Sequence, residues 1–100
     1  MVDLLFSNKA VEDLTNIWNH TVETWSEAQA DKYYALLIAT CRQIADSPRP
    51  LGREYSEILS GLFGCPAGKH IVFYRSGSEH TVEIVRILHE RMDLRNRIND

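Results

Sequence analysis

The tightest constraint on this chain lies in residues 69–92, KHIVFYRSGSEHTVEIVRILHERM. Two runs rich in Val, Ile, Phe and Tyr, residues 70–75 and 81–88, flank the small polar segment Ser76-Gly77-Ser78-Glu79. Branched and aromatic side chains favour a pleated, half-buried surface, and Gly77 reaches positive φ without steric cost. The pattern predicts a β-hairpin. Its second run does not alternate cleanly. Val82, Ile84 and Leu88 fall on one face and Val85 and Ile87 on the other, so both faces need cover and the strand belongs inside a sheet. Arg75, Arg86 and His89 interrupt the apolar runs near their ends and are the first functional candidates.

Upstream, Asp3–Phe6 reads as a first strand, with Ser7 as N-cap of a helix. Val11, Leu14, Trp18, Val22 and Trp25 recur at three- and four-residue intervals, widened by Ile17 and Thr21, which makes one stripe of that helix. Ser26-Glu27-Ala28-Gln29 has the S-x-x-Q form of a capping box and opens a second helix. Its stripe is Tyr33, Leu37, Cys41 and Ile44, with Tyr34, Ile38 and Ala45 beside them. With almost no linker between them, the two helices are expected to fold back as an antiparallel hairpin. Pro48 ends the second helix by disfavouring α geometry at Ser47. Beyond it come a loop around Ile58-Leu59, a weak strand at residues 61–65 and a turn at Pro66-Ala67-Gly68. Asp93 can cap a short C-terminal helix through Ile98. The order β-α-α-β-β-β predicts an α+β domain: an N-terminal strand and a two-helix antiparallel hairpin packed on a small, mainly antiparallel sheet, with a short C-terminal helix.

At 100 residues and 44% hydrophobic content, one domain over residues 1–100 is expected. No apolar run approaches the roughly 18 residues that span a bilayer, so a soluble, cytoplasmic protein without membrane contact is expected. Cys41 and Cys65 sit in apolar surroundings without ligand spacing and read as reduced, buried thiols. The net charge of −3 is uneven: residues 1–46 are acidic, whereas residues 69–100 carry Lys69, Arg75, Arg86, Arg91, Arg95 and Arg97. That suits either an anionic partner or an ordinary solvated face.

The four histidines lack i,i+4 pairing and carboxylate grouping, so neither a metal nor a small-molecule cofactor is expected. What remains is Tyr74, Arg75, Arg86 and His89, which the hairpin could draw together. As a site, the arginines would grip a phosphate while His89 or Tyr74 exchanged a proton, giving metal-independent RNA cleavage. As structure, Arg86 would pair with Glu83 or another carboxylate and His89 with backbone.

At these residues the chain resembles a known family. Gly68-x-His70-x-Val72-Phe73-Tyr74-Arg75, then Val82-Glu83-Ile84-Val85-Arg86-Ile87-Leu88-His89-x-Arg91-Met92-Asp93, is similar to the C-terminal signature of ParE toxins in the RelE/ParE superfamily. The likeness extends to Ala10-x-x-Asp13-Leu14-x-x-Ile17-Trp18, to Trp25-Ser26-Glu27-Ala28-Gln29-Ala30 and to Ser47-Pro48-Arg49. It implies the toxin of a type II toxin–antitoxin system, held in a hetero-oligomer by a ParD-like antitoxin and acting as a poison of DNA gyrase. No catalytic residue is then expected. The alternative implied by RelE relatives is a ribosome-dependent mRNA endoribonuclease using Tyr74, Arg75, Arg86 and His89. A third possibility is a toxin-like scaffold without poisoning activity. The end of the chain leans toward ParE: after His89 it holds no tyrosine or lysine, and Glu90 stands where the family commonly has a small residue. The expected target-facing surface is Arg91, Met92, Arg95 and Arg97, in a basic tail least needed for the core. A groove between helix pair and sheet would suit an amphipathic antitoxin segment.

Overall fold

The computed structural model describes residues 2–77 and 80–98. Two serines fix where its long helices begin. Ser7 is extended and its Oγ accepts the Ala10 amide at 3.0 Å, opening α1 (Asn8–Thr24) after β1 (Asp3–Phe6). Ser26 accepts the Gln29 amide at 3.1 Å in the same way and opens α2 (Glu27–Asp46). Each cap satisfies one of the amides that a first helical turn leaves unpaired. Ser47 leaves α2 at φ −78° and ψ 134°, the extended geometry favoured before Pro48. The chain continues through β2 (Arg53–Glu54), β3 (Phe63–Ala67), β4 (His70–Ser76), β5 (Thr81–His89) and α3 (Leu94–Ile98). Ser78 and Glu79 of the hairpin loop lie outside the described residues.

The sheet runs β1-β5-β4-β3-β2, with β1 parallel to β5 and every other pair antiparallel. The α+β architecture read from the sequence is the one observed, and β5 is internal as its two-sided apolar run requires. Its faces, however, are divided differently. Tyr74 stands opposite Ile84 while Phe73 stands opposite Arg86, so Val85 is an inserted residue, a β-bulge. The bulge reverses the alternation beyond it. Ile87 joins Val82 and Ile84 against Leu14, Leu37 and Ile44 of the helix pair, whereas Leu88 joins Phe73 and Leu62 on the opposite face. Simple alternation had paired Leu88 with Val82 and Ile84.

Three further differences have local causes. The strand expected at residues 61–65 runs from Phe63 to Ala67, and the turn moves to Gly68-Lys69. Pro66 is tolerated there because β2 pairs only with Phe63 and Gly64, leaving β3 an edge strand at Pro66. On the helices, Val11 is 50% exposed, and Trp25 is the cap residue beyond α1 and 75% exposed, so neither extends the buried stripe. Finally, the C-terminal tail is part of the core. Leu94 and Ile98 of α3 pack with Tyr55, Ile58 and Leu59 over Phe73 and Leu88. The sheet is thereby covered on both sides, by the helix hairpin and by the 55–62 loop with α3.

Cys41 is fully buried and Cys65 partly so, both as free thiols, and burial pushes the Cys41 thiol up to about 11. Among the described residues, no helix is long and apolar enough to cross a membrane.

Candidate functional site

β1 ends at Phe6, and there the outer edge of β5 changes partner. The Ser7 amide bonds the Ile84 carbonyl at 3.0 Å, and Ser7 Oγ donates to the Val85 carbonyl at 2.7 Å. Further along, a side chain from α1 replaces the missing strand. Asp13 Oδ2 accepts the Ile87 amide at 3.0 Å and Arg86 Nε at 2.8 Å, while Asp13 Oδ1 accepts Arg86 Nη2 at 3.0 Å. Arg86 Nη1 donates to the Arg97 carbonyl at 2.7 Å. One guanidinium therefore ties α1, β5 and α3 together. The pair is nearly withdrawn from water, at 13% and 12% exposure. Bidentate geometry and a third acceptor are what such a buried pair requires to offset its lost hydration.

Of the other three residues named with Arg86, Tyr74 and Arg75 lie apart from it. Tyr74 is buried on the helix side, where its hydroxyl accepts the Leu51 amide at 2.7 Å and donates to the Leu51 carbonyl at 2.6 Å. Burial raises the pKa of that phenol. Its visible role is to pin the loop after α2. Arg75 lies at the hairpin's loop end, paired across the strands with Glu83 at 3.2 Å and half exposed. His89 is at the opposite end of β5, facing His70, and its Nδ1 accepts the Arg91 amide at 3.1 Å. At about 3.3 Å per residue, roughly 16–20 Å of strand separates Arg75 from His89. Arg86 and His89 do share a small hollow of about 180 Å³ with Asp13, His70, Met92 and Arg97. Tyr74 and Arg75 are not part of it.

Beside His89, sequence reasoning missed a cluster. His70 Nδ1 lies 2.5 Å from the Tyr33 hydroxyl, and the His70 and His89 rings meet edge to face at 5.3 Å between centroids. Burial first, and then the neighbouring His89, push the His70 pKa down to about 4; burial raises Tyr33. The register that sets His70 against His89 could not be read before the bulge was known. Asp13 did leave a signal. It falls on the same face as Ala10, Leu14 and Ile17, and an acid on a buried stripe needs a cation. Among the described residues, no three His, Cys, Asp or Glu side chains are grouped to hold a metal ion.

Of the proposed target-facing residues, Arg91, Arg95 and Arg97 are exposed, and Met92 is 42% exposed at the edge of the small hollow. On the helix side, Phe6, Val11, Leu14, Trp18, Tyr34 and Ile38 line an apolar groove of about 380 Å³.

Residues 4–94 match the family model of the ParE toxin of the type II toxin–antitoxin system, parDE. The chain belongs to the ParE toxin family. Toxin ParE1 of Mycobacterium tuberculosis is 39% identical over 90 residues, 90% of this chain and 91% of that protein. In fold, the ParE-family chain is similar to a chain of the chromosomal ParDE TA system from P. aeruginosa, with TM-score 0.79 and 20% identity over 89% and 96% of the two chains. It is also similar to one of the RelBE2 toxin–antitoxin complex from M. tuberculosis, with TM-score 0.67 and 23% identity over 92% and 97%. Within the ParE match, Asp13 and Arg86 are the residues that lock the first helix to the end of the chain.

Proposed function

We propose that this ParE-family toxin acts in the cytoplasm by binding DNA gyrase rather than by cutting RNA, and that a ParD-like antitoxin silences it. The observation that carries the choice is the separation of Tyr74 and Arg75 from Arg86 and His89. Metal-independent cleavage needs a proton donor, a proton acceptor and phosphate-gripping cations around one reacting phosphate. Here Arg86 is occupied by Asp13 and the Arg97 carbonyl, Tyr74 by Leu51, and Arg75 lies at the other end of the hairpin. The exposed Arg91, Met92, Arg95 and Arg97 form the surface assigned to the target. The apolar groove of Val11, Leu14, Trp18 and Tyr34 is the place for an amphipathic antitoxin segment, since such a groove left open is a standing invitation to association.

Supercoiling of relaxed plasmid by purified gyrase tests this directly. Added full-length chain is expected to inhibit the reaction and to accumulate cleaved DNA, and a ParD-like antitoxin is expected to reverse both. Unimpaired gyrase, together with rapid message cleavage when the chain is expressed alone, would reject the proposal in favour of the endoribonuclease.

A further inference from the structure

The tip of the helix hairpin and the far ends of β4 and β5 enclose a second hollow of about 390 Å³, lined among others by His20, Trp25, Tyr33, Lys69, His70 and His89. Its volume lies in the range of small-molecule sites, about 300–1,000 Å³. Two chemistries meet in it. One is aromatic: Trp25 stands 75% exposed, with its ring unburied by the fold. The other is a pair of imidazoles, each with its Nδ1 already engaged by the protein.

His89 Nδ1 accepts the Arg91 amide at 3.1 Å, so the ring's proton sits on Nε2. For His70 the same follows from Tyr33. The Tyr33 hydroxyl already accepts the Lys69 amide at 3.0 Å, and it has only a long contact of 3.4 Å to the Ala67 carbonyl. Its proton therefore points to His70 Nδ1, 2.5 Å away, which again leaves the ring proton on Nε2. With its pKa lowered by burial, His70 is a neutral donor at pH 7. Lys69 supplies positive charge beside them, and its ammonium has no acidic partner among the described residues.

We propose that this hollow binds a mononucleotide, with the base stacked on the Trp25 indole and the phosphate held by Lys69 and the Nε2 protons of His70 and His89. Stacking tolerates any base, because every base has a π face. Phosphate oxygens accept from N–H groups, and most strongly from a cation. The surrounding charge limits the ligand's size. Glu90 acts electrostatically on both Tyr33 and His70, and Glu23 and Glu27 flank Trp25 in sequence. Negative charge near the site disfavours a long polyanion more than a single phosphate. The site stands apart from the apolar groove and does not rest on the gyrase reading.

Calorimetric titration of the isolated full-length chain with AMP, adenosine and inorganic phosphate separates the two halves of the site. AMP is expected to bind saturably, with adenosine and phosphate each at least about tenfold weaker, the loss that accompanies one removed contact of moderate strength. Trp25→Ala and Lys69→Ala, both at exposed positions, are expected to weaken AMP about tenfold while leaving the thermal midpoint in place. Adding AMP is expected to shift the Nε2 proton resonances of His70 and His89. Absence of saturation by AMP, equal affinity for AMP and adenosine, or wild-type AMP affinity in Trp25→Ala would each overturn the assignment.

Discussion

Asp13 sits on an outwardly ordinary helix, yet it receives the Ile87 amide and both forks of Arg86. Asp13→Ala removes the carboxylate that balances a buried guanidinium and leaves the Ile87 amide without its acceptor, and its expected cost is about 3–5 kcal/mol in urea unfolding. Asp13→Asn retains an acceptor and is expected to cost about 1–3 kcal/mol. His70 adds a pH dependence of definite sign. Its folded pKa of about 4 is below its unfolded value of 6.5, so the unfolded chain takes up a proton first as pH falls. The stability tied to neutral His70 is complete above pH 6.5 and is lost as pH drops from there toward 4. Urea midpoints measured from pH 7.5 to 4 are expected to fall across that window, and His70→Gln is expected to flatten the profile. At this scale the sequence pointed to the right polar residues more readily than to their partners. Arg86 was readable as a candidate for either phosphate or carboxylate, but the choice belongs to Asp13, distant in the chain. Tyr74 was readable as a strand residue, while the Leu51 loop it holds was not.

Local periodicity carried the elements. The caps at Ser7 and Ser26 and the stop before Pro48 stand where local chemistry puts them, because each depends on a few adjacent residues. The bulge at Val85 escaped because its cause is register against β4, and that one insertion moves Ile87 and Leu88 to opposite faces. For the same reason α3 looked expendable: Leu94 and Ile98 gain their value only from the Phe73 face they cover. Its arginines play a separable part. Arg97 serves Arg86 through its backbone carbonyl, which any side chain at that position retains. Arg95→Ala with Arg97→Ala is therefore expected to change stability by no more than about 0.5 kcal/mol while weakening the proposed inhibition of gyrase severalfold. Unaltered inhibition by the double variant would move the target surface elsewhere.

Across the molecule, the sheet joins the two ends of the chain. β1 pairs in parallel with β5, Asp3 opposite Thr81 and Phe6 opposite Ile84, and the Asp13–Arg86 clamp closes the same seam. Without β5 the helix pair loses Val82, Ile84 and Ile87 from the surface that buries its stripe, and keeps only Ala67, Val72 and Tyr74 of β3 and β4 there. A chain ending at residue 80 is expected to show no cooperative unfolding transition by circular dichroism, even though both long helices are encoded within it. This closure has a consequence for how the protein comes into being. A polypeptide emerging from the ribosome cannot complete its central ribbon until residues 81–89 have been made, because β1 waits for β5. Any surface that depends on the finished sheet therefore appears late and all at once, when β5 slots between β1 and β4.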